Sequence, residues 1–193
     1  MTTGLPSRST IIGMLDDDAG ELVIQPRPSD DFIGYGSIDL RIGSIFLSAE
    51  RSSMASVRAR DPWEGAKLFR EVRVAPGGTF VMQAHQFVLA TTFEYLSMPP
   101  TLVGLIQSRS TFGRMGIIAA TAAYVGPGYK GCPTLELVNL GEVAIELEPY
   151  QPICQIVLLT AAETDITPSR YQCATRPDFA RRPVRQVASA STE

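Results

Sequence analysis

Two stretches of this 193-residue chain hold the side chains best suited to chemistry. In Gln107-Ser108-Arg109-Ser110-Thr111-Phe112-Gly113-Arg114-Met115-Gly116, two arginines bracket two hydroxyls and a glycine. That grouping offers guanidinium, O–H and backbone N–H donors to an anion such as a phosphate. By residue type alone, a Ser/Thr-Gly turn between strands looks much the same. The second stretch is Tyr124-Val125-Gly126-Pro127-Gly128-Tyr129-Lys130-Gly131-Cys132-Pro133-Thr134-Leu135-Glu136-Leu137-Val138-Asn139. Its glycine-rich turn lets a ligand approach the backbone and then feeds a strand. Alternation along that strand puts Thr134, Glu136 and Val138 on one face, with Leu135 and Leu137 on the other. A Glu between leucines is most often an exposed-face carboxylate. If it faces a pocket, it is a candidate for moving protons.

Other chemistries lack their parts. His85 is the one histidine, in Gln83-Ala84-His85-Gln86-Phe87, and no G-x-S-x-G nucleophile turn accompanies it. It reads as a strand or turn residue with a local hydrogen bond. One imidazole cannot build a His-rich metal site, and the His-x-Glu with Pro-Cys-x-x-Cys of zinc nucleobase deaminases is absent. Cys132, Cys154 and Cys173 are odd in number and contain no Cys-x-x-Cys, which argues against a disulfide framework or a zinc cage. No protein-held metal is expected. Chemistry here would run on carboxylate, guanidinium and hydroxyl groups, with Mg²⁺ at most carried in by a ligand.

The elements that must position these groups are mostly strands. Short apolar or β-branched runs at 80–83, 87–92, 102–107, 117–123, 134–139, 143–147 and 153–160 are separated by Gly, Pro and Ser signals, the pattern of a barrel or sandwich. Leu22 to Gln25 and Ser37 to Gly43 read as earlier strands. Ser9 or Thr10 is placed to cap a short helix that stops at Gly20. Residues 50–73 are the most charged stretch and read as a solvated excursion between strands. There is no βαβ alternation, G-x-G-x-x-G or P-loop, so a Rossmann or NTPase fold is excluded.

Composition sets the outer limits. With 45% hydrophobic and 19% charged residues the chain is globular, and its length suits one domain with an appendage. A net charge of −3 gives no basic field for duplex nucleic acid. No apolar run is long enough to span a bilayer, and residues 1–10 lack a signal-peptide core, so a cytoplasmic protein without a membrane partner is expected. Beyond Thr160 the character changes: residues 170–193 hold five arginines against Asp178 and Glu193. Such a tail is either solubilising or able to fold over a polyphosphate, and 186–193 is expected to be unstructured.

In order and spacing, Ser37-Ile38-Asp39-Leu40-Arg41-Ile42-Gly43, Arg109 to Arg114, Pro127 to Gly131, Thr134 to Asn139 and Pro149 to Ile156 resemble the dCTP deaminase branch of the dUTPase superfamily. Ser169-Arg170-Tyr171-Gln172 resembles the start of its C-terminal lid. The resemblance implies a mainly β fold: a distorted, dUTPase-like β-barrel (β-clip) with a short N-terminal helix, in a homotrimer with sites between subunits. It implies a barrel domain over 1–169 and a flexible lid over 170–193. It places a triphosphate, with Mg²⁺, against Arg109, Ser110 and Thr111, followed by Phe112 and Gly113. Glu136 matches the general base and acid, and Ser110, Arg114 and the Ala122 backbone match the groups holding the attacking water. Gly126, Thr134, Leu135, Arg170 and Tyr171 complete the expected nucleotide contacts. No cofactor is implied for the chemistry itself.

Three departures bear on function. Gly126 stands where the family usually has Asp, the run from Arg114 to Pro127 is one residue short, and Ala174 occupies the lid position usually held by Gln. Deamination of a cytosine nucleotide, dCTP foremost, is the leading expectation. A non-catalytic nucleotide-binding or interaction protein on the same scaffold is the alternative, and a dUTPase-like pyrophosphatase is disfavoured because Gly126 lacks a carboxylate.

Overall fold

The computed structural model describes residues 4–17, 20, 22–50, 52–120, 124–162, 166, 169 and 171–180. Among these, the chain runs α1 (Arg8–Asp16), β1 (Val23–Gln25), β2 (Ser37–Arg41), β3 (Ile45–Ala49), β4 (Phe69–Arg73), β5 (Phe80–Met82), β6 (Phe87–Thr91), β7 (Tyr95–Ser97) and β8 (Leu102–Ser108). It continues through α2 (Ser110–Arg114), β9 (Ile117–Ala120), β10 (Tyr124–Val125), β11 (Lys130–Gly131), β12 (Thr134–Asn139), β13 (Ile145–Leu147) and β14 (Pro152–Thr160). The architecture is mainly β, as expected. Its strands form sheets ordered β4-β3-β6-β12-β9, β10-β8-β14-β2, β1-β7-β11 and β13-β5, and every paired strand is antiparallel. They do not close into a continuous barrel. Among the described residues, no helix is long and apolar enough to cross a membrane.

Period-two burial explains the two strands that matter most. On β12, Leu135, Leu137 and Asn139 are buried while Thr134, Glu136 and Val138 are half-buried. Each fully buried leucine contributes about 1.5–3 kcal/mol, which fixes the register and therefore the direction in which Glu136 points. The buried Asn139 is satisfied: its amide donates to the carbonyls of Gln83 and Val143, and its Oδ1 accepts from the Gly141 N–H at 2.9 Å. On β14, Ile156 and Leu158 enter the core that also holds Ile38, Leu40 and Ile106.

Several boundaries differ from the expectations. The cap of α1 is Ser7, not Ser9 or Thr10; its side chain accepts from the Thr10 N–H at 3.1 Å. Strand β4 takes residues 69–73 out of the charged excursion, pairing with β3 from Ala49↔Phe69 to Ile45↔Arg73. Its sequence Phe-Arg-Glu-Val-Arg hides this, because an edge strand with both faces largely in water does not alternate. The Arg109–Arg114 segment is not a bare turn but the short helix α2. His85 lies in the turn between β5 and β6 at φ 60°, with Nε2 3.4 Å from Glu142.

Candidate active site

Glu136 lies on a wall of a cleft of about 420 Å³. Strand β12 supplies Thr134 and Glu136 to that wall, and β6 supplies Phe87 and Leu89 beside them. The antiparallel register sets Glu136 opposite Leu89 on one side and Ala120 on the other, so the carboxylate stands mid-sheet. Pro133 and Tyr129 line the same space.

The same cleft is lined by the turn predicted to approach a ligand. Gly126-Pro127-Gly128-Tyr129 closes with Tyr129 N–H donating to the Gly126 carbonyl at 3.2 Å. Pro127 suits the second position, and Gly128 at φ 72° takes the third, where a side chain would be strained. Tyr124, Val125, Gly126 and Pro127 all reach the cleft. Phe87 is an ordinary strand aromatic in sequence, brought here by the pairing of β6 with β12, and Tyr124, though it opens the glycine-rich stretch, carries no motif of its own.

The cleft is roofed by the C-terminal strap, residues 171–180. Gln172 clamps it to the glycine turn: Nε2 donates to the Gly128 carbonyl at 2.8 Å, and Oε1 accepts from the Lys130 N–H at 3.1 Å. Two backbone bonds of 2.7 Å, Cys173 N–H to the Lys130 carbonyl and Cys132 N–H to the Ala174 carbonyl, continue the seam. Tyr171, Ala174, Asp178 and Phe179 face the cleft, and the Phe179 ring packs 5.0 Å from Phe69 at its far end. Ala174, at the position where a lid Gln was looked for, is buried. Burial raises the Cys132 thiol to about 11, so it is a neutral packing group beneath the strap.

The other predicted group sits elsewhere. Arg109 sends Nη2 to within 3.3 Å of the Asp39 carboxylate on β2. Burial raises the Asp39 pKa, and the Arg109 charge opposes that shift. Ser110, Thr111, Gly113 and Arg114 are exposed on α2, while Phe112 packs against the core and holds the short helix down. Ser108 ties the segment to β9, its hydroxyl accepting from Ala119 N–H at 2.8 Å. None of residues 109–114 lines the Glu136 cleft. The structure therefore brings Glu136, Thr134, Gly126 and Tyr171 together and leaves Arg109 to Arg114 outside. Leu135 points into the core because it lies on the other face of β12. Ala122 and Arg170 lie outside the described residues, as do 181–193 and with them the expected unstructured tail.

Residues 7–161 match the family described as dCTP deaminase-like. The dCTP deaminase of Halorubrum lacusprofundi is 38% identical over 140 residues, covering 72% of this chain and 69% of that protein. A Methanobrevibacter smithii protein named dCTP deaminase, dUMP-forming, is 34% identical over 153 residues, 79% of this chain and 77% of its own length. The crystal structure of 2'-deoxycytidine 5'-triphosphate deaminase from Agrobacterium tumefaciens superposes with a TM-score of 0.64 at 20% identity, over 83% of this chain. This chain covers 49% of that protein, about half its length.

Proposed function

From the premise that this chain belongs to the dCTP deaminase-like family, we propose that it hydrolyses the amino group of a cytosine nucleotide, dCTP foremost, using Glu136 as proton shuttle. The observation that carries this reading is the half-buried carboxylate in a cleft of about 420 Å³, held in register by strands on both sides. Water adds its oxygen to C4 of the base, and Glu136 takes a proton from it and delivers that proton to N3. The remaining hydroxyl proton passes by the same carboxylate to the amine. The C4–N bond then breaks, ammonia leaves, and C4 becomes the uracil carbonyl. The acid and base roles fall to one group because they are needed in sequence, not at once.

Arg109, Ser110 and Thr111 bind the phosphates in this reading, and Arg114, Ser110 and the Ala122 backbone hold the water. Since α2 lies away from the cleft, Arg109, Ser110, Thr111 and Arg114 would come from a neighbouring copy, in a homotrimer of dUTPase-like subunits with sites between them. Exposed Met115, Ile118 and Leu140 near the end of α2 support burial against a second copy. Mg²⁺ would travel on the triphosphate. Asp39, beside Arg109, is the carboxylate adjacent to that position, and among the described residues no group of three or more His, Cys, Asp or Glu forms a metal cage. A bound Mg²⁺ would supply charge neutralisation to the phosphates.

Chromatography of the purified protein with Mg²⁺ and dCTP, CTP, dCMP, CMP or dUTP tests the reading. One cytosine nucleotide is expected to become its uracil counterpart with release of ammonia. Turnover of none of them would favour a nucleotide-binding protein on this scaffold. Pyrophosphate from dUTP would instead show the hydrolase activity that Gly126 argues against.

A further inference from the structure

Gly126 has no unusual backbone conformation to account for it, since its φ lies outside the left-handed region. What crowds a side chain there is the Tyr124 ring: a Cβ on residue 126 would come 3.0 Å from its Cε1 and 3.7 Å from its hydroxyl oxygen, so the ring would have to give by a few tenths of an ångström. The ring therefore folds back along its own strand into the space a residue-126 side chain would take. Tyr124 is nonetheless 64% exposed, because Val125 is the residue of β10 that points into the core. A mostly exposed aromatic lying over Gly126, among the residues lining the cleft that holds Glu136, is placed to meet ligand.

We propose that Tyr124 is a specificity-determining residue that reads the sugar of the nucleotide, its ring giving the sugar a flat wall and its phenol a neutral hydrogen-bonding partner. This rests on the deaminase reading, which fixes the direction of the ligand. With C4 of the base at Glu136, this reading directs the sugar toward the Tyr124–Gly126 side of the same cleft. A phenol both donates and accepts, so it can pair with a sugar hydroxyl in either sense. A site that hydrogen-bonds a substrate hydroxyl also discriminates against an analogue lacking it, because its own polar group is left without a partner.

Calorimetric titration of full-length Glu136→Gln protein, which leaves the nucleotide unconverted, with dCTP, CTP and 2',3'-dideoxycytidine triphosphate supplies the test. Tyr124→Phe, which keeps the ring, is expected to narrow the preference for dCTP over the dideoxy analogue by about fivefold or more. Tyr124→Ala is expected to alter the dCTP to CTP ratio as well. Gly126→Ala, by displacing the ring, should reproduce part of the Tyr124→Ala effect, yet change affinities by less than about twofold when Tyr124 is already Ala. Sugar ratios within about twofold of the parent in every Tyr124 variant, or independent effects of Gly126→Ala and Tyr124→Ala, would overturn the proposal. Turnover by the unmodified protein is read separately. Its absence would remove the deaminase reading, while a shift in sugar ratios would still uphold Tyr124.

Discussion

Strand β12 lies between β6 and β9, with two leucines driven into the core and the Glu136 carboxylate turned into a roofed cleft. Helix α2 is five residues long and keeps Ser110, Thr111 and Arg114 at the surface, with Arg109 tied to Asp39. A proton shuttle must be held within a fraction of an ångström of its target, and a mid-sheet strand provides that rigidity. Phosphate-binding groups can remain at the surface until a partner surface or the anion itself orders them. The contrast teaches that, in the proposed reading, one copy carries the Glu136 wall and, apart from it, the α2 donors, two parts that would meet across an interface between copies.

Removing the shuttle should have the largest effect. Glu136→Gln is expected to lower ammonia release by about 10²–10⁴-fold while leaving nucleotide affinity within about tenfold, because the carboxylate acts mainly in the transition state. Steady-state rates beside calorimetric binding check this, and parallel loss of both would make Glu136 a binding group. Next comes the support behind it. Leu137→Ala should cost about 2–5 kcal/mol in chemical denaturation, whereas Thr111→Ala on α2 should stay within about 0.5 kcal/mol. Equal costs would erase the difference between the two regions.

Arg109→Ala should raise KM for the triphosphate by about tenfold or more with a smaller change in kcat, as expected for loss of a charged phosphate contact. The smallest effect is on the pH dependence of stability. The Asp39 pKa is raised in the folded state, so the native protein binds more protons than the unfolded chain above the ordinary carboxylate range. That contribution to stability is fully present below the unfolded pKa and is lost as pH rises from there through the raised folded pKa. The Tm of Asp39→Asn should therefore fall less than the parent's over this window; an unchanged slope would show that burial does not raise the Asp39 pKa in the folded protein.

How much of this could be read beforehand followed from local pattern. Leu135 and Leu137 alternate with Thr134 and Glu136, so the strand and the face Glu136 shares were legible, whereas the cleft in front of that face was not, since residues distant in sequence build it. Strand β4 was not, since an edge strand carries no alternation, and neither was α2, whose five residues hold too little periodicity to separate a helical turn from a loop. The sequence grouped the Arg109–Arg114 donors with Glu136 through family resemblance, but their separation within one chain is a tertiary fact. Tyr124 escaped notice for the same reason: its significance lies in the ring's approach to Gly126 and not in any motif.

The proposed sharing of the site between copies is open to a complementation experiment. Glu136→Gln and Arg114→Ala proteins, each nearly inactive alone, would be co-refolded in equal amounts into mixed oligomers. If one copy supplies the shuttle and its neighbour supplies α2, about a quarter of the sites should contain both intact parts, and ammonia release should return to about a quarter of the unmodified rate. Mixtures no more active than the separate variants would show that Glu136 and Arg114 serve one site within a single chain, or no common site at all.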